Sequence, residues 1–88
     1  METRKGITES GFEYKLTEEA LDNMELVDAL SELEDNPLYI SKVVKLLLGD
    51  EQRKSLYDHV RAEDGRVPTS KIEKELSEIM LGTQDSKN

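Results

Sequence analysis

Between Asn36 and Gly49 the chain carries Tyr39, Ile40, Val43, Val44, Leu46, Leu47 and Leu48. Wound at 100° per residue, these side chains take up more than half of a helix's girth and leave one narrow polar stripe of Ser41, Lys42 and Lys45. A helix of that kind must be covered from at least two sides, so it is the centre of a domain or part of an oligomer interface. Leu38 is the exception, because its helical angle falls inside the polar stripe. The whole chain has only 88 residues, enough for one small domain and too few for a second.

The remaining elements follow from caps and stops. Phe12-Glu13-Tyr14-Lys15-Leu16 alternates apolar and polar residues and reads as a half-buried strand. Its backbone groups need a partner, which is the Gly6–Gly11 segment, the helices, or another subunit's edge. Leu26, Val27, Ala29, Leu30 and Leu33 share one helical arc, whereas Leu21 and Met24 fall off it, so the acidic segment divides into a turn at 18–21 and a helix at 23–34. Asp22 with Glu25 resembles a capping box for that helix. Asn36-Pro37 ends it and starts the central helix at 37–48. Gly49 suits a left-handed stop, and Asp50 suits the cap of a third helix at 51–63, whose narrow apolar face is Leu56, Tyr57 and Val60. Asp64-Gly65 closes that helix. Ser70 with Glu73 forms a capping box for a fourth at 70–81, lined by Ile72, Leu76, Ile79 and Met80. The expected fold is mainly α, a compact four-helix domain over residues 11–81 with a short extended N-terminal segment. Residues 1–10 and 82–88 lack periodicity and are expected to be loosely ordered.

Charge is unevenly placed. Of a net −8 for the chain, all lies in residues 1–36, and Thr17–Asn36 holds eight acids and no base. Such a field repels nucleic-acid phosphates and favours basic or polar protein partners, or simply forms a solvated helix face. No cysteine is present, which removes disulfides and thiolate metal sites and points to a reducing intracellular setting. The longest apolar run, Val43 to Leu48, is broken by Lys45 and is far shorter than the ~20 residues of a membrane span. Nor does an apolar segment follow Arg4 and Lys5, as a secretory signal would require.

Signals for chemistry are weak. His59 has Asp58 beside it and Glu63 one turn on, a poor ligand set against the three protein ligands of a catalytic zinc site, and it reads as a surface histidine. Arg61-Ala62-Glu63-Asp64-Gly65-Arg66 lacks the alternating oxygen ligands and late glutamate of a calcium loop and reads as a turn, fixed by Asp64 with Arg61 or Arg66. Glycine-rich phosphate loops, a nucleophile elbow and basic-aromatic clusters are all missing. An enzyme and a cofactor are therefore not expected.

The ordered string of small motifs is more distinctive than any one of them. It comprises Gly11-Phe12-Glu13-Tyr14, Asp22-Asn23-Met24-Glu25-Leu26, Asn36-Pro37-Leu38, Leu46-Leu47-Leu48-Gly49-Asp50-Glu51-Gln52, Leu56-Tyr57-Asp58-His59-Val60-Arg61 and Glu63-Asp64-Gly65-Arg66-Val67-Pro68. Over about residues 11–81 this string resembles the tail assembly chaperones of long-tailed phages and prophages. The resemblance implies a small helical protein, made in the cytoplasm of the bacterial host and absent from the virion, that coats the tape measure protein and keeps it soluble while tail tube protein polymerises around it. It also implies a longer, frameshifted product that recruits tube protein, for which residues 82–88 would be the join.

Such a role needs exposed apolar grooves for amphipathic helices. The candidate contact residues, for client or self-association, are Leu38, Tyr39, Ile40, Leu46 and Leu48 of the central helix, with Phe12 and Tyr14 at the strand. Two other classes fit the same residues: an acidic regulator that imitates nucleic-acid charge, and a small oligomerisation module.

Overall fold

The computed structural model describes residues 3–84. Its elements are strands β1 (Thr3–Ile7) and β2 (Glu13–Thr17), a short helix α1 (Glu18–Leu21), α2 (Met24–Asp35), a 3-10 turn at Pro37–Tyr39, α3 (Ile40–Val60) and α4 (Thr69–Gln84). The chain is thus mostly helical, with a two-stranded antiparallel sheet at its N-terminus. A radius of gyration of 12.7 Å is close to the ~12 Å of a compact domain this long.

The expected strand is present, one residue later than its pattern suggested, and its partner is β1 in register Thr3↔Thr17, Lys5↔Lys15 and Ile7↔Glu13. β1 occupies a segment expected to be loose: Thr-Arg-Lys-Gly-Ile has no alternation, and its strand form comes from pairing rather than from a buried face of its own. Gly6 is required there, because a Cβ would collide with the Tyr14 hydroxyl. At Gly82 a Cβ would lie 2.7 Å from the same hydroxyl, so Tyr14 is wedged between β1 and the end of α4.

The break between α1 and α2 falls at Asp22-Asn23, as the phase of the apolar residues requires. The cap differs from the expected one. Asn23, not Asp22, is the N-cap: its side chain accepts from the Glu25 amide, while Asp22 closes α1. Val27, assigned to the apolar arc, is exposed, because α2 packs through Leu26 and Ala29 and Val27 lies a further 100° around. Asn36 then serves twice, its amide bonding Glu32 at the end of α2 and its side chain accepting from the Leu38 amide to start the next turn.

The expected break at Gly49 between two helices is present, and the first of them starts at Ile40 and not at 37, because Pro37–Tyr39 form a 3-10 turn. α3 runs through both, but Gly49, at φ 83° and ψ 170°, is non-helical and bends the path between 40–48 and 50–60. Only glycine takes that conformation readily. α3 also stops at Val60 instead of 63, since Arg61 is extended and residues 62–66 form their own turn, with the Ala62 amide donating to the Arg66 carbonyl. Asp64 pairs with Arg66 at 3.5 Å and Arg61 with Asp58 at 2.8 Å. α4 begins at Thr69, one residue before the expected Ser70 cap, with the Pro68 carbonyl accepting from Lys71 and Ile72. It continues past residue 81 into the segment expected to be a loose tail, of which 85–88 lie outside the described residues.

Leu16, Val43, Val44, Leu47, Leu56 and Ile79 are fully buried and draw β2, both halves of α3 and α4 into one core. The central position expected for the helix at 37–48 holds for its α-helical part: Val43, Val44, Leu47 and Leu48 are all inside, with Ser41, Lys42 and Lys45 outside. No helix among the described residues is long and apolar enough to cross a membrane.

Candidate functional site

An apolar groove of about 460 Å³ runs between α2, the 3-10 turn and α4. Leu30 and Leu33 line it from α2, Pro37 and Ile40 from the start of the central helix, and Leu76, Met80 and Leu81 from α4, with Glu73 and Ser77 along the α4 rim. The geometry follows from helical phase. α2 turns Leu26 and Ala29 into the core, leaving Leu30 and Leu33 only half-buried at the edge of the arc. On α4, Ile72, Leu76 and Ile79 point inward while Met80 is partly exposed and Leu81 is 64% exposed. Apolar side chains thus continue outward from the core between two helices, a form suited to the apolar face of an amphipathic helix. α2 adds Glu25, Asp28, Glu32, Glu34 and Asp35 with no base, and none of these acids has an ion-pair partner among the described residues.

The contact residues expected from sequence are dispersed. Leu38 is 82% exposed, as expected, although it lies in the 3-10 turn at Pro37–Tyr39 and not in the α-helix whose phase suggested it. Tyr39 and Leu46 are partly buried against the core. Ile40, Leu48, Phe12 and Tyr14 are buried in it; Ile40 lines the groove, and Leu48 and Tyr14 line a separate concavity between the hairpin and α3. The reason is that the hairpin and α4 together provide the second cover that the central helix needed. The sequence places Leu30, Leu33 and Met80 on apolar helix faces but marks neither them nor Leu81 as contact residues. Helical phase cannot show that they line one groove, because the groove exists only once residues about 50 positions apart are brought side by side.

A second cluster fastens the hairpin loop to the helices. Thr8 donates from Oγ1 to Glu75 Oε1 at 2.7 Å and Ser10 donates from Oγ to Glu75 Oε2 at 2.7 Å, so the buried Glu75 carboxylate, 3% exposed, has both oxygens satisfied. His59 Nε2 lies 3.2 Å from the Ser10 carbonyl and 3.0 Å from its Oγ, and the ring packs on Phe12 with centroids 5.6 Å apart. Ser10 directs its hydroxyl to the carboxylate, and Ser10, His59 and Glu75 together form a clasp that holds the hairpin loop to α3 and α4. Among the described residues no group of three or more His, Asp or Glu side chains is placed to hold a metal ion.

No protein-family model, curated protein or solved structure matches this chain.

Proposed function

We propose that the protein is a phage tail assembly chaperone that holds amphipathic helices of the tape measure protein in the groove between α2 and α4. The observation that carries this reading is the groove itself, whose lining is mostly apolar and continuous with the core at Ile40 and Leu76. The ordered motif string of residues 11–81 supports the same reading through its resemblance to that family. In this role the chain works in the cytoplasm of the bacterial host, without catalysis or cofactor, and leaves before the virion is complete. Leu38, exposed one residue beyond the groove-lining Pro37, extends the contact surface or serves self-association. A longer frameshifted form would bring tail tube protein to the same client.

The test is co-expression with the tape measure protein. The client is expected to be soluble and to co-purify with the chaperone, and Leu81→Asp is expected to release it, because a charge set into a desolvated apolar contact is costly unless paired. Release should occur with little effect of added salt on the unmodified complex, since screening weakens ionic contacts and leaves apolar burial intact. The five unpaired acids of α2 favour a second reading, an acidic regulator that occupies a basic nucleic-acid-binding protein. That reading gives a complex that collapses between low and physiological salt.

A further inference from the structure

We infer that the groove between α2 and α4, taken as the helix seat proposed above, selects amphipathic helices whose apolar stripe is bordered by lysine or arginine.

Charge around the groove has one sign. Among the residues that line it, Glu73 of α4 is the charged one. Its side chain is exposed and has no ion-pair partner among the described residues. Glu34, also exposed, stands one helical turn beyond Leu30 and so borders the same face of α2. The groove also meets α2 near its C-terminal end, at Leu33, where the helix dipole is negative and no basic residue occupies the last turn.

The bases nearest in sequence turn elsewhere. Lys71 and Lys74 lie on another side of α4, in a separate recess with Ser10, His59 and Glu75. On α3, Lys42 and Lys45 lie about 200° and about 140° around the helix from Ile40, the residue that α3 contributes to the groove. No base lines the groove among the described residues, so the carboxylates at its rim are unmatched.

Affinity and choice are therefore divided between two sets of residues. Leu30, Leu33, Leu76, Met80 and Leu81 accept any apolar stripe of helical spacing, whereas Glu73 and Glu34 meet whatever flanks that stripe. Charge at a rim acts on specificity and association rate more than on affinity. A second copy of this chain is a poor occupant: α2 carries five acids and no base, and α4 carries Glu73, Glu75 and Glu78 against Lys71 and Lys74.

The experiment is calorimetric titration of the whole protein with blocked helical peptides of about 18 residues, five turns. All share one leucine stripe and carry lysine, glutamine or glutamate on both flanks. At low salt the lysine helix is expected to bind about fivefold more tightly than the glutamine helix, the scale of one exposed ion pair, and the glutamate helix more weakly than either. Added salt should bring the three affinities together without abolishing them. Glu73→Gln should reduce the lysine preference about twofold and leave the glutamine helix unaffected. Equal affinities at low salt, or a preference for glutamate, would overturn the charge selection while the helix seat stands. Binding of none of the three, or binding that Leu81→Asp leaves unchanged, would remove the seat and the selection with it. A lysine peptide with its stripe scrambled should bind far more weakly, and equal binding would overturn selection by the groove in favour of simple attraction to the acidic surface. Dimerisation of the unmodified protein that Leu81→Asp abolishes would make a second copy the occupant and would also overturn it.

Discussion

Replacing Glu75 by Ala tests whether the hairpin is held by its polar clasp or by the core beneath it. The carboxylate accepts two short side-chain bonds, from Thr8 and Ser10, each 2.7 Å long. Hydrogen bonds to a charged group contribute about 1.5–3 kcal/mol each. Alanine leaves two hydroxyls without that acceptor, but Thr8 Oγ1 and Ser10 Oγ lie 3.2 Å apart and can bond each other, so roughly one of the two bonds is recovered. A net loss of about 2–4 kcal/mol follows, including the void left by the side chain. For a domain this size that is a substantial part of the ~5–15 kcal/mol total, and it lowers Tm by about 4–8 °C per kcal/mol. Glu75→Gln keeps an acceptor for Thr8 and turns its amide to Ser10 Oγ, which is free to accept, so it should cost no more than about 1 kcal/mol. Glu78→Ala, which removes only an exposed acceptor for the Glu9 amide, should stay within about 0.5 kcal/mol. Urea unfolding followed by circular dichroism ranks the three. Equal midpoints for the Glu75→Ala and Glu78→Ala proteins would show that the clasp adds nothing and that the hairpin is held by Phe12, Tyr14 and Leu16 alone.

Leu47→Ala should destabilise by about 2–5 kcal/mol, as the buried centre of residues 40–48 requires, and a denaturation midpoint near that of the unmodified chain would move Leu47 out of the core. At Gly49 the space around a new Cβ is open, so Gly49→Ala should cost about 1–3 kcal/mol through backbone strain alone; a neutral result in thermal unfolding would mean that the bend relaxes. Leu38→Asp should leave the stability within about 0.5 kcal/mol while reducing self-association or client rescue, read by sedimentation and by tape measure solubility.

Where one residue decides, the sequence is informative. Asn36-Pro37 and Gly49 each act through local sterics, and each interrupts the helical path where its local signal places it. Boundaries set by competition between neighbours are less legible: Asn23 and Asp22 both suit a cap, and the turn at 62–66 takes three residues from the end of α3. β1 carries no pattern of its own because one side is open and the other is ordered by Tyr14, a residue on the opposite strand. For the same reason Glu75 reads as one more surface acid until Thr8 and Ser10, more than 60 positions away, are brought to it. The groove is a property of the α2–α4 packing, and single-helix phase shows only that Leu30 and Met80 lie at the margins of their arcs.

The central claim is that the α2–α4 groove seats a helical client through apolar contact. The most direct measurement is the fraction of tape measure protein that stays soluble and co-purifies with the unmodified chain and with the Leu81→Asp variant, both verified as equally helical by circular dichroism. The account predicts capture by the unmodified chain that survives added salt, and loss of capture in the variant. Equal capture by both chains, or capture by the unmodified chain that disappears at physiological salt, would contradict it.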